Sequence, residues 1–80
     1  MSANKHITLD KVPEGKMVKI VRINAGHSLN MRIKSLGLLE GDEIKVLKNT
    51  RGPVIVGKGG LRLALGRGMS HKIVVEYLEN

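Results

Sequence analysis

Two stretches of this 80-residue chain, EGKMVKIV (Glu14–Val21) and EGDEIKVL (Glu40–Leu47), align without a gap. Glu14 falls on Glu40, Gly15 on Gly41, Val18 on Ile44, Lys19 on Lys45 and Ile20 on Val46. The alternation in KMVKIVRI, Lys16–Ile23, does not by itself say which side faces a core, and the shared pattern decides it. Each copy reads as an Xaa-Gly turn feeding a strand, with Val18, Ile20, Ile44 and Val46 pointing inward and Lys19 and Lys45 outward. Two copies are too few for a solenoid.

The segment between them, HSLNMRIKSLGLL (27–39), is the one convincing helix. Ser28 is expected at the N-cap, where its hydroxyl would accept from a free backbone N–H. Leu29, Ile33 and Leu36 at i, i+4 and i+7 form an apolar stripe, while Asn30, Arg32 and Lys34 face water and Met31 lies off the stripe. Gly37 stops the helix, because glycine takes a left-handed conformation without a Cβ clash, and Leu38 is expected to fold back on Ile33.

Downstream, Asn49–Gly52 reads as a turn and PVIVG (53–57) as a buried strand. LRLAL places Leu61, Leu63 and Leu65 on one face, GRGMSH is a turn or single helical turn, and KIVVEYL closes the sheet. Upstream, TLDKVP is expected to lay Leu9 and Val12 over an open end. The expected architecture is mainly β: one domain over residues 1–80, a small barrel or sandwich of about five strands with one short helix between the first two.

Within TRGPVIVGKGG (50–60), the segment GPVIVGKG comes one residue short of the phosphate-binding pattern G-x-x-x-x-G-K-[ST]. Gly59 stands where a magnesium-holding hydroxyl belongs. The β-branched centre suits a strand, no helix follows Lys58, and Gly59-Gly60 reads as a hairpin turn with Lys58 at its exposed tip.

The chain lacks cysteine, which removes disulfides and thiolate chemistry and suits a reducing cytoplasm. MSANKHITLDK has no apolar leader core, and no apolar run approaches the ~20 residues that cross a bilayer. The net charge is +7, and the stretch from Ile44 to Val75 holds seven basic residues and no acid: Lys45, Lys48, Arg51, Lys58, Arg62, Arg67 and Lys72. A positive face is expected, but with Tyr77 the sole aromatic there is little for bases to stack on, so no specific nucleic acid is expected.

The order of these motifs resembles the ferrous iron transport protein A family, FeoA. The residues carrying the likeness are Leu36-Gly37-Leu38, Gly41, Ile44, Val46, Gly52-Pro53, Arg62, Ala64, Leu65, Ile73 and Val75, with L-x-x-V-P-x-G at Leu9–Gly15. The resemblance runs from about Ile7 to Leu78. It implies an SH3-like barrel and a cytoplasmic, non-enzymatic accessory of ferrous iron uptake, working with FeoB, a membrane transporter with a cytosolic GTP-binding region. The chain is then recruited to the inner face of the membrane through that partner. The related domain of iron-dependent repressors is joined to DNA-binding helices for which 80 residues leave no space, so the stand-alone form is expected.

The chemistry-bearing residues point the same way. His6, His27 and His71 lack metal-ligand spacing and read as surface residues; no cofactor is required, and the resemblance leaves room only for a weak transition-metal (iron) association. Met17, Met31 and Met69 read chiefly as core filler, Met31 being the exception worth watching. Ser28, Ser35 and Ser70 have no nucleophile elbow around them, and Glu14, Glu40, Asp42 and Glu43 look like solvated strand entries, so no catalytic residues are assigned. The expected partner-binding surface is Met31, Arg32, Lys34, Leu38 and Leu39, an apolar patch beside two cations. The alternative is a small basic RNA- or ribosome-associated module. Free barrel edges allow a monomer or a weak homo-oligomer.

Overall fold

The two aligned stretches face each other in space. In the computed structural model, which describes residues 6–78, they supply the antiparallel strands β2 (Met17–Ile23) and β3 (Glu43–Lys48). Val18 pairs with Ile44, Met17 with Lys45 and Lys19 with Glu43, so equivalent residues of the two copies exchange places across the pair. The main chain repeats this exchange. Gly15 N–H donates to the Val46 carbonyl at 2.7 Å and Gly41 N–H to the Ile20 carbonyl at 2.7 Å; in return Val46 N–H donates to Lys16 and Ile20 N–H to Asp42. Gly15 and Gly41 both take positive φ, 92° and 94°, which a side chain would strain. The sequence repeat is therefore a local twofold centred on Val18 and Ile44.

Around this pair the sheet grows to six antiparallel strands in the order β1-β6-β2-β3-β4-β5, with β1 at His6–Thr8, β4 at Val54–Lys58, β5 at Leu61–Leu65 and β6 at Ile73–Tyr77. Helix α1 (His27–Ser35) connects β2 to β3, and a short α2 (Arg67–Ser70) connects β5 to β6. One strand more is present than expected. β1 is three residues long, too short to show alternation, and exists through its pairing with β6, Ile7 against Val75. The following turn of 3-10 helix, Leu9–Lys11, buries Leu9 and, just beyond it, Val12 completely. GRGMSH makes the single helical turn of α2.

Val18, Ile20, Ile44 and Val46 are buried, and Ile33, Leu38, Val54, Val56, Leu65, Ile73 and Val75 complete the core around them. Residues 54–58 form a strand and Gly59, at φ 59°, opens a two-residue turn into β5, so the phosphate-loop look-alike is a hairpin. Lys58 is not at a free tip, however. Its ammonium reaches the Gly37 carbonyl and lies 2.7 Å from Asp42 Oδ2.

Four other expectations change. Gly26, not Ser28, caps α1: its extended backbone lets its carbonyl accept from Asn30 N–H at 2.9 Å, so the helix starts two residues early and Ser28 is exposed in the first turn. Leu36 is 36% exposed, because it sits at the C-cap and Leu38 fills the core position instead. Leu61 is 62% exposed and Leu63 half-buried, since β5 is an edge strand whose outer end runs past the core. Met17 and Met31 are exposed rather than filling the interior, whereas Met69 packs on the core.

The helix stop is as expected. Gly37 has φ 93°, its N–H donates to Lys34, and Leu38 N–H donates back to the Ile33 carbonyl, the double bond pattern of a glycine C-cap. No neighbouring atom lies within 4 Å of a Cβ placed on Gly37, so only the backbone conformation resists substitution. Gly37→Ala is expected to lower the stability by about 1 kcal/mol or more, read as a shifted urea midpoint with an unchanged slope.

Candidate functional site

The expected docking surface is built on α1 and its cap. Met31 stands two residues before Ile33, about 200° around the helix from the side that meets the core, and is 56% exposed. Arg32 and Lys34 are exposed on either side of Ile33, and Leu39, just past the cap, is 48% exposed. Leu38 does not belong to this surface. It is fully buried, because the glycine cap turns the chain back and drives Leu38 into the core while Leu39 is left outside. The exposed apolar side chains around this end of the helix are thus Met31, Leu36 and Leu39.

The cap is held from the other side of the molecule. Asp42 accepts from Leu39 N–H at 2.8 Å and from Lys58 of β4, while Lys58 also donates to the Gly37 carbonyl. One lysine therefore fastens the hairpin to both ends of the 37–42 turn. The bond from Lys58, helped by that from Leu39, outweighs partial burial and holds the Asp42 carboxyl below the usual aspartate range.

A second polar cluster ties the opposite loops. Arg67, at the start of α2, donates to the carbonyls of Thr50 (3.3 Å), Gly52 (2.9 Å) and Asp10 (3.1 Å) and to Asn49 Oδ1 (2.8 Å). Asn49 Nδ2 donates to the Asp10 and Val12 carbonyls, and Asn49 N–H donates to Glu14 Oε2. The Asp10 carboxylate accepts from Thr8 Oγ1 at 2.6 Å and lies 3.1 Å from His71 Nδ1. Burial pushes the Asp10 carboxyl up, but the Thr8 and His71 contacts more than cancel this and leave it below its ordinary value.

These two carboxylates set an expected acid limb. A depressed folded-state pKa adds stability that is fully present above the unfolded value and is lost as pH falls through the folded one. Urea midpoints should therefore be flat above about pH 5 and decline below about pH 4. Asp42→Asn, which removes one contributor, should show a shallower decline.

The acids at 14 and 42 are thus turn fasteners rather than solvated entries, and two members of the basic stretch, Lys58 and Arg67, are spent on internal carbonyls. Lys45, Lys48, Arg51, Arg62 and Lys72 remain exposed. In sequence Arg67 is one more cation of the basic stretch and Asn49 one residue of the 49–52 turn. The only signal was an Asn at the start of a turn, since their acceptors lie 15 to 57 residues away from Arg67 and up to 39 from Asn49. The histidines are not brought together: His71 meets Asp10, and His6 lies 3.7 Å from Glu76. Among the described residues, no three His, Asp or Glu side chains stand close enough to hold a metal ion, and no helix is long and apolar enough to cross a membrane. Ser70 is buried, its hydroxyl donating to the Arg67 carbonyl, and Ser35 donates to Arg32.

Comparison with known proteins agrees with the motif order. A curated relative from Methanocaldococcus jannaschii, named "Putative Fe(2+) transport protein A", is 41% identical over 66 residues, covering 82% of this chain and 80% of that protein. A crystal structure described as the iron uptake regulatory protein FeoA superposes with a TM-score of 0.85 at 32% identity, covering 92% of this chain and 99% of that one. The solution structure of a FeoA-like protein from Clostridium acetobutylicum also gives 0.85, at 25% identity over 98% of this chain and 93% of its own. The SH3-like, mainly β fold that the resemblance implied is thereby shown. With residues 7–77 matching the family model of the FeoA domain, this chain belongs to the FeoA family.

Proposed function

We propose that this FeoA protein is a non-enzymatic accessory of ferrous iron uptake that docks on the cytosolic, GTP-binding region of a FeoB-type membrane transporter. The supporting observation is that Met31, Arg32 and Lys34 on α1 and Leu39 just past its cap are all exposed, on a helix whose end is pinned by Lys58. A rigid, partly apolar patch with cations beside it has the makeup of a small protein contact. The protein acts in the cytoplasm and reaches the membrane through this contact. Iron is the transporter's cargo in this reading, and no metal chemistry is assigned to the chain's own residues.

The reading is tested by titrating the purified cytosolic region of the transporter with wild-type protein, Leu39→Asp and Met31→Asp. Both positions are exposed, so the variants should keep the wild-type melting curve while binding at least tenfold more weakly. Wild-type binding should change little with added salt. Unchanged affinity in both variants would remove the patch from the contact. Steep loss of binding with salt, together with capture of ribosomal RNA, would favour the basic-module alternative.

A further inference from the structure

The outer face of the sheet carries a feature that the α1 patch does not use. Met17, Lys45, Gly57 and Arg62 are successive register partners across β2, β3, β4 and β5, so they form one rank on one face. Gly57 leaves a gap in that rank between the two cations. Leu47 leans over the gap: it is the extra residue where the β3–β4 register slips between Val46 and Lys48, and a Cβ placed on Gly57 would lie 3.2 Å from its Cδ1. The result is a depression of about 310 Å³ walled by Met17 and Leu61, with the glycines of the 59–60 turn at its end. Its apolar walls are open to water, Met17 at 39% and Leu61 at 62% exposure.

We propose that this depression is a second binding site, for an extended segment of a partner protein carrying apolar side chains between two carboxylates. Lys45 and Arg62 are exposed and have no ion-pair partner among the described residues. The one carboxylate in the lining, Glu43, stands opposite Lys19 in the register. Two strand spacings separate Lys45 from Arg62, about 10 Å, which three residues of a polyproline-II segment cover at ~3.1 Å each, and its three residues per turn bring carboxylates three apart back to the same side. The floor and walls are aliphatic, and Tyr77 is not in the lining, so a nucleic-acid base would find no ring to stack on. A second copy of the chain would set Lys45 and Arg62 against a protein of net charge +7. An acidic, apolar segment meets both the charge and the surface. The site is independent of the transporter reading, because it uses none of the α1 residues.

The experiment is an NMR and fluorescence titration of the whole protein with a labelled peptide containing Glu-Leu-Val-Glu, beside Glu-Ser-Ser-Glu and Lys-Leu-Val-Lys versions. Saturable binding of the first is expected, with amide shifts at Met17, Gly57 and Leu61 and little change in α1. The serine version should bind at least tenfold more weakly. The double variant Lys45→Glu, Arg62→Glu should lose the acidic peptide and take the lysine one. Leu61→Ser, a single exposed change, should weaken the acidic peptide similarly and keeps the test open if the double variant folds poorly. Absence of saturable binding, equal affinity for the serine version, shifts confined to another face, or tighter binding of an RNA oligonucleotide at these same residues would overturn the proposal.

Discussion

Leu38→Ala is expected to destabilise the protein by about 2–5 kcal/mol, the range for emptying a fully buried leucine site. For a domain of this size each kcal/mol moves the melting temperature by roughly 4–8 °C, so a fall of about 8 °C or more should appear in a far-UV circular dichroism melt. The neighbouring Leu39→Ala should change stability by no more than about 0.5 kcal/mol, because its side chain stands half in water. The contrast isolates the cause. Two leucines adjacent in sequence differ only in which side of the glycine-capped turn they occupy, and Leu38 is packed with Ile33 in a core that contains no Phe or Trp to fill a void. Equal effects of the two substitutions would mean that the cap does not direct the chain as described.

Arg67→Met is the second large expectation, at about 2–3 kcal/mol, even though the residue lies in a short helix far from the centre of the sheet. The guanidinium serves four acceptors in two segments: Asn49 Oδ1 and the Thr50 and Gly52 carbonyls of the 49–52 turn, and the Asp10 carbonyl. Removing it leaves the part-buried Asn49 Oδ1 without its donor, leaves the Asp10 carbonyl with only the Asn49 amide, and releases the Thr50 and Gly52 carbonyls to water; the methionine keeps most of the side chain's volume, so the loss reports hydrogen bonding rather than packing. Lysine at 67 should recover only a fraction, since an ammonium cannot span four acceptors arranged around a planar fork. Urea denaturation of the three proteins measures both effects. Asn49→Ala in combination with Arg67→Met should be less than additive, because the two share Asp10 as an acceptor.

Much of the fold was readable because it depends on local period and backbone freedom. The paired Glu-Gly turns, the alternation at Val18, Ile20, Ile44 and Val46, the glycine stop at Gly37 and the Gly59-Gly60 hairpin are each decided within a few residues. Period stops predicting burial where position in the fold outranks it. Leu36 and Leu61 are apolar and on the expected faces, yet one sits at a helix end and the other on an edge strand, where the core no longer reaches. Met17 follows the outward alternation of β2 and is exposed for that reason, although its composition suggests burial.

The proposed surfaces divide in the same way. Met31, Arg32, Lys34 and Leu39 could be named from their spacing on one helix and its cap. The rank of Met17, Lys45, Gly57 and Arg62 could not, because its members come from four strands and share a face only through the register of the sheet.

Taken alone, the chain's sequence determined the family, the β-rich class, the single helix with its stop, and the repeat that becomes the β2–β3 pair, since all of these rest on the order and spacing of residues near one another. The tertiary structure alone decided that Leu36 and Leu61 lie beyond the reach of the core, that β1 joins the sheet, that Lys58 and Arg67 are spent on internal carbonyls, and where exposed cations meet apolar surface. Those outcomes depend on contacts between segments many residues apart, and hydrogen-bond reach and burial are properties of distance in space rather than of position along the chain.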